Sequence, residues 1–75
     1  MIKLNLPTAL KRFRKERHIT QKQMAEAANI HTRLYQRYEY GENEPAAKTI
    51  IDIAKHFNTS LDYLTGRIDN PEINR

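Results

Sequence analysis

Apolar residues recur at steps of three and four along most of this chain, which is the spacing of amphipathic α-helices. In the first such segment, which runs from Leu6 to about Arg17, Ala9, Leu10 and Phe13 share one side with Leu6. Further segments run about from Gln21 to Ala28, Thr32 to Glu39, Ala47 to Phe57 and Leu61 to Leu64. No stretch alternates with the period of a strand and no segment repeats, so the sequence predicts an all-α fold of five helices.

Residues that favour helix ends stand at the boundaries of these segments. Thr20 precedes the second segment and Gln23 follows three positions later, which is the spacing of a capping box. Gly41 follows the third segment, where a left-handed residue commonly ends a helix. Since only residues 29–31 separate the second and third segments, we expect two helices joined by a tight turn. The other expected boundary residues are Asn5 and Pro7 at the first helix, and Ser60 and Gly66 at the fifth.

The fourth segment has the strongest apolar stripe and is therefore the expected main core helix. Its outer side carries charged residues such as Lys48 and Asp52. On the wheel, Ile53 falls at the margin of the stripe. The predicted stripe consists of Ala47, Ile50, Ile51, Ala54 and Phe57.

The third segment has two contrasting faces on a helical wheel. Leu34, Tyr35 and Tyr38 fall on one side, which predicts a buried apolar face. The opposite side is long, polar and positive and holds no acidic residue; it carries Thr32, Arg33, Gln36, Arg37 and Tyr40. Such a face suits phosphates and base edges, and an ordinary solvated helix surface is the alternative.

The chain has 75 residues, which allows one domain with a small core. We expect an N-terminal arm over residues 1–5, a helical domain over 6–66 and a tail or linker over 67–75. The net charge is +4, and residues 1–40 hold nine Lys/Arg against three Asp/Glu, whereas residues 41–75 hold four against six. A basic half is the expected footprint of a partner that carries phosphates, although an unevenly charged solvated surface has the same composition.

Composition also excludes several classes of function. The chain has no cysteine, which removes disulfides and thiol chemistry and fits a reducing cytosol. His18, His31 and His56 lack metal-ligand spacing, so we expect no metal and no other cofactor. The apolar runs are too short to span a bilayer and the start lacks a secretory signal, so a cytoplasmic protein without a membrane partner is expected. No grouping of catalytic residues is evident, so we expect neither an enzyme nor a small-molecule substrate.

Several residues that stand in register along the chain match one family. They are Leu10, Arg14, the Ile19-Thr20-Gln21 entry, Ala25, the Tyr38-Glu39-x-Gly41 exit followed by Pro45, the Ile53-Ala54 pair, and the ending Ser60-Leu61-Asp62-Tyr63-Leu64-x-Gly66. From about Leu10 to Gly66 the sequence resembles the lambda-repressor-like, Cro/cI-type (XRE) helix-turn-helix domains of phage repressors and related bacterial regulators. The resemblance implies a compact five-helix DNA-binding domain in which helices 2 and 3 form the helix-turn-helix and helix 3 lies in the major groove.

The resemblance also implies roles for single residues. Gln21 matches the family's phosphate-clamping residue, aided by the amides at the start of its helix. Arg14 and Glu39 match a pair that ties the first helix to the end of the third. Thr32, Arg33 and Arg37 occupy base-reading positions, and Gln36 faces the same groove on the wheel. Further phosphate contacts are expected from Thr20, His31, Tyr40, Asn43 and Lys48.

Three positions depart from the family pattern. Asn29 stands where the family often has glycine, and asparagine also enters the left-handed region readily. His31 stands where a serine or threonine cap is usual, and it is either a substitute cap or a neighbour of a phosphate. Leu34 replaces a small polar residue, and it is either a partly buried side chain or an apolar contact to a thymine methyl group.

These observations favour a sequence-specific regulator of transcription that binds double-stranded DNA. We expect a repressor of phage or bacterial mobile-element type that acts on a two-fold operator as a homodimer, because one recognition helix reads only a few base pairs. By analogy with the family, the dimer surface is placed at Leu61, Tyr63, Leu64 and Ile68. The alternative is a protein-interaction module of the same fold, such as an antitoxin or a partner of an antirepressor.

Overall fold

The computed structural model describes residues 5–66, and within that range all regular structure is helical. The five helices are α1 (Leu6–Glu16), α2 (Gln21–Ala28), α3 (Thr32–Tyr40), α4 (Ala47–His56) and α5 (Leu61–Leu64). The predicted five-helix, all-α fold is therefore confirmed. The arm predicted at residues 1–5, apart from Asn5, and the tail predicted at 67–75 lie outside the described residues.

The ends of α2 and α3 are defined by local hydrogen bonds at the start of α2 and by a left-handed residue after each helix. The capping box is present: the Gln23 amide donates to Thr20 Oγ1 over 3.0 Å, and the Thr20 amide donates to Gln23 Oε1 over 2.8 Å. Asn29 ends α2 with a φ of 57°, and Gly41 ends α3 with a φ of 78°. Asn29 takes up the left-handed conformation expected of it, and the predicted end of α3 at Gly41 is confirmed. Asn29 thereby redirects the chain from α2 towards α3.

The core lies where α1 and α2 pack on α3, with α4 and α5 closing the other side. Phe13 from α1 meets Phe57 and Tyr63 edge to face, with ring centroids 5.9 and 6.1 Å apart. The buried cluster comprises Leu10, Phe13, Met24, Ala25, Ala28, Tyr35, Tyr38, Ile50, Ile53, Ala54, Tyr63 and Leu64. Because α3 contributes two tyrosines to this cluster, its orientation is set by the core.

The predicted stripe of α4 is wrong by a fraction of a turn. Ile53, expected at the margin, is fully buried, whereas Ile51 is 39% exposed and Ala47 is also exposed. The observed core side consists of Ile50, Ile53 and Ala54, with Phe57 packed beside it. Both phases present isoleucines, so the positions of α2 and α5 decide which of them is buried.

The apolar surface expected on α5 is also smaller than the sequence suggested. Leu61 is 44% exposed, but Tyr63 and Leu64 are 7% and 0% exposed because they complete the core. The Tyr63 hydroxyl donates a hydrogen bond to Glu16 of α1. The prediction that Tyr63 and Leu64 offer free apolar area is therefore wrong, and Ile68 lies outside the described residues.

Candidate nucleic-acid interface

A largely buried ion pair joins α1 to the end of α3. Arg14 donates from Nε to Glu39 Oε2 over 2.7 Å and from Nη2 to Glu39 Oε1 over 3.1 Å. The Arg14 and Glu39 side chains are only 15% and 3% exposed. Arg14 also donates to the carbonyl of Ile19, which lies between α1 and α2. One guanidinium therefore contacts both the segment before α2 and the end of α3. The contact expected between Arg14 and Glu39 is present, and its bidentate geometry fixes the orientation of both planar groups.

Tyr35 adds a third member to this pair. Its hydroxyl donates to Glu39 Oε2 over 2.6 Å, and its ring is fully buried. Burial raises the pKa of Tyr35 above its ordinary value, and the Glu39 carboxylate raises it further. Burial alone would raise the pKa of Glu39, but hydrogen bonds from Arg14, Tyr35 and Gln21 outweigh it and hold the pKa below its usual range. The hydrogen bond to Glu39 raises the pKa of Arg14, so the pair is ionised at neutral pH.

Two glutamines extend the network from the ion pair to the outer side of α3. Gln21 Nε2 donates to Glu39 Oε1 over 3.2 Å, and Gln36 Nε2 donates to Gln21 Oε1 over 3.1 Å. Both glutamines are half-buried. The predicted phosphate residue Gln21 and the predicted base-reading residue Gln36 are therefore in direct contact. Each retains one side-chain N–H beyond these bonds.

The outer face of α3 presents the positive side chains that the sequence singled out. Arg33 and Arg37 are exposed, whereas Thr32 is half-buried. An open depression of about 490 Å³ is lined by His31, Arg33, Leu34 and Arg37. Arg37 Nε lies 4.0 Å from the exposed Glu42 carboxylate, a separation at which an exposed pair contributes little. The two arginines are thus available to an anionic partner.

The start of α3 differs from the start of α2. His31 occupies the N-cap position with an extended backbone, but its side chain makes no cap hydrogen bond. The interpretation of His31 as a substitute cap is therefore wrong, and its exposed imidazole lies beside the depression. Leu34 is half-buried and packs against the core, as the first of its two interpretations required.

The four remaining predicted phosphate residues, Thr20, Tyr40, Asn43 and Lys48, are all exposed. Tyr40 is 68% exposed at the end of α3, and Asn43 is exposed in the loop that follows. Thr20 accepts the capping bond through its hydroxyl oxygen and keeps its O–H for another partner. Lys48 forms an ion pair with Asp52 one turn along α4, at 2.8 Å, yet its side chain remains 85% exposed.

The sequence did not predict the hydrogen bond from the Tyr35 hydroxyl to Glu39, nor the hydrogen bond between Gln21 and Gln36. The first was detectable, because Tyr35 and Glu39 are four residues apart and neighbours on one helix face. The second depends on how α2 meets α3, and the separation of 15 positions between Gln21 and Gln36 gives no periodic signal for it.

No group of three or more metal-ligating side chains comes together among residues 5–66. No helix in the same range is long and apolar enough to cross a membrane.

Three features define a helix-turn-helix domain. It has a short α2, a tight turn at Asn29, and an α3 with a buried inner face and a positive outer face. The family model described as Helix-turn-helix matches residues 10–64. This chain belongs to the helix-turn-helix family, of XRE type, whose members are DNA-binding domains of transcription regulators rather than enzymes.

Similar proteins carry consistent names. The chain is 39% identical over 64 residues to the uncharacterized HTH-type transcriptional regulator YqaE of Bacillus subtilis (strain 168), covering 85% of this chain and 55% of that protein. It is 33% identical over 64 residues to the HTH-type transcriptional regulator ImmR of the same strain, covering 85% and 50%. The crystal structure of a transcriptional regulator from Listeria innocua superposes with a TM-score of 0.76 at 30% identity, covering 97% of this chain and 68% of the other. The chain spans about half the length of the curated relatives it matches.

Proposed function

We propose that this chain is the DNA-reading part of a sequence-specific transcriptional repressor, of the type found in phages and bacterial mobile elements. The observation that carries the proposal is the outer face of α3, where Arg33 and Arg37 are exposed beside a depression while the inner face is held by the core and by the Arg14–Glu39 pair. A rigid helix with donors on its free side is what the DNA major groove accepts. The protein is expected in the cytoplasm, where bacterial DNA lies.

In the proposed complex, α3 enters the major groove of a two-fold operator. Arg33 and Arg37 can each donate two hydrogen bonds to a guanine edge, worth about 1–3 kcal/mol of discrimination. Thr32 and Gln36 contact neighbouring bases. The register on the duplex comes from phosphate contacts, which we assign to Thr20, Gln21, His31, Tyr40, Asn43 and Lys48.

The proposed complex holds two copies of the chain. One recognition helix reads only a few base pairs, so two copies spaced by about 34 Å along the duplex are needed for usable specificity. Leu61 is exposed on α5 and is the described residue that we place at the contact between copies. Sedimentation of the protein with and without operator should show two chains per duplex, and Leu61→Asp should weaken that assembly. Binding of a single chain to each operator would contradict the dimer.

The experiment that tests the function is selection of binding sites from random duplexes, followed by titration of variants at two salt concentrations. Arg33→Ala should relax one base position, whereas Lys48→Ala, which removes a proposed phosphate contact, should weaken cognate and random duplexes alike. Lys55→Ala is the control, because this exposed lysine lies in the last turn of α4, at the opposite end of that helix from Lys48. Failure to enrich any sequence, together with a stoichiometric complex with a protein, would instead indicate an interaction module of the same fold.

A further inference from the structure

The two glutamines of the network have amide orientations that their neighbours determine. The Glu39 carboxylate only accepts hydrogen bonds, so the Gln21 atom 3.2 Å from Glu39 Oε1 must be the donor Nε2. Gln21 Oε1 then faces Gln36, which must donate from its own Nε2 over 3.1 Å. Gln36, Gln21 and Glu39 thus form a row in which each residue donates a hydrogen bond to the next. Since Arg14 and Tyr35 keep Glu39 ionised and in place, Glu39 sets the direction of both hydrogen bonds in this row.

This row leaves Gln36 with a defined pair of unused groups. One Nε2–H is donated to Gln21, so the carbonyl Oε1 and the second N–H remain. Turning the amide over would bring Gln36 Oε1 against Gln21 Oε1 and would break the hydrogen bond between the glutamines. A glutamine without such a partner turns freely and can offer either its oxygen or its two N–H groups.

Bases differ in what they offer to such a side chain in the major groove. Adenine presents the N6 amino donor beside the N7 acceptor, which complements one carbonyl oxygen and one N–H. Guanine presents two acceptors, O6 and N7, so a fixed carbonyl oxygen meets an acceptor there. The neighbouring Arg33 and Arg37 carry donors only and suit guanine.

We infer that Gln36 is a specificity-determining residue for adenine, and that Gln21 is its positioning residue, which excludes guanine by holding the Gln36 amide in one orientation. The inference rests on the proposed function, since it names the base that one residue of the same face reads. It also gives Gln21 a second role beside the phosphate, to which its remaining N–H is free to donate.

The orientation can be tested without DNA, because the chain has three glutamines in all. Gln23 is exposed and uses its side-chain oxygen, rather than its amide nitrogen, in the capping box, which makes it an internal reference. The side-chain amide protons of Gln21 and Gln36 should exchange with solvent more slowly than those of Gln23 in nuclear magnetic resonance spectra. Equal exchange at all three glutamines would overturn the inference.

The base assignment is tested by site selection with the parent and three variants. Gln36→Leu should lose the preference for adenine at one position of each half-site. Gln21→Leu should admit guanine at that same position, with the ratio of adenine to guanine falling about 5-fold or more. Glu26→Ala, an exposed change on α2 outside the network, should enrich the parent's sequence.

The outcomes separate the inference from the proposed function. If the parent enriches no sequence, the proposed function fails and the inference fails with it. If the parent enriches a sequence but Gln36→Leu changes no adenine, or Gln21→Leu still excludes guanine while keeping the parent's melting temperature, the inference alone is overturned. If Gln21→Leu lowers the melting temperature, the exchange measurement on the parent and selection with Gln36→Leu decide.

Discussion

The two faces of α3 differ in how tightly their side chains are held. On the inner face, Tyr35 is fully buried, Tyr38 is 6% exposed, and Glu39 accepts hydrogen bonds from three side chains. On the outer face, Arg33 and Arg37 are exposed, and the contact of Arg37 with Glu42 spans 4.0 Å. The same nine-residue helix therefore contains a fixed side and a free side.

This difference separates stability from binding. Substitutions on the inner face remove core contacts or leave buried polar groups unpaired, so they should lower the free energy of unfolding. Substitutions on the outer face remove charge from solvated positions, so they should change affinity for DNA and leave the fold unaltered. Substitutions of Gln21 and Gln36 should affect both stability and DNA binding, since these residues join the ion pair to the outer face.

The largest effect is expected from Glu39→Ala. The change leaves the partly buried Arg14 guanidinium without its carboxylate and removes the acceptor of Tyr35 and Gln21. It should therefore cost up to about 3–5 kcal/mol of unfolding free energy, the cost of breaking a buried ion pair. Urea unfolding followed by circular dichroism measures it. Glu42→Ala is the matched control, because that side chain is 62% exposed and its loss should change stability by less than about 0.5 kcal/mol. Equal losses in the two variants would show that the buried pair has no special role.

A second effect is a dependence of the free energy of unfolding on pH in the acid range. The pKa of Glu39 is lowered in the folded protein, so its contribution is fully present above its ordinary value of 4.5 and is lost as the pH falls through the lower folded value. The free energy of unfolding should therefore decline below about pH 4. Glu39→Gln removes this titration, so the variant should lose less stability than the parent over the same acid range. Parallel acid curves for the two proteins would contradict the assignment to Glu39.

The smallest effect concerns His31, the N-cap residue of α3. His31 makes no cap hydrogen bond, whereas Thr20 does so at α2. His31→Ser should supply the missing acceptor and raise the free energy of unfolding by about 1 kcal/mol or less. The change is measured as a higher melting temperature. Thr20→Ala should lower stability by about 1 kcal/mol. If His31→Ser is neutral or destabilising, the amides at the start of α3 already have other partners.

The sequence predicted those parts of the fold that depend on local chemistry. The capping box at Thr20, the left-handed turn at Asn29 and the end of α3 at Gly41 each follow from a few adjacent residues, and each is present. The phase of α4 could not be predicted, because Ile51 and Ile53 are equally apolar and only the neighbouring helices distinguish them. The same holds for α5, whose four residues are too few to separate a core face from a contact surface.

In the candidate site, the sequence indicated the residue types and the resemblance indicated their roles. Arg33 and Arg37 lie exposed on one face, as the helical wheel requires. The bond between Gln21 and Gln36 was beyond prediction, because it depends on the angle between two helices and on the acceptor-only character of Glu39, which is 18 residues from Gln21. Long-range hydrogen bonds of this kind leave no periodic trace in a sequence.

The most direct test of the difference between the two faces measures stability and DNA affinity on the same variant, Arg33→Ala/Arg37→Ala. Its melting temperature should match that of the parent, while its affinity for the selected operator should fall about 10-fold or more. Loss of the melting transition, or unchanged affinity for the operator, would contradict the assignment of the outer face of α3 to DNA.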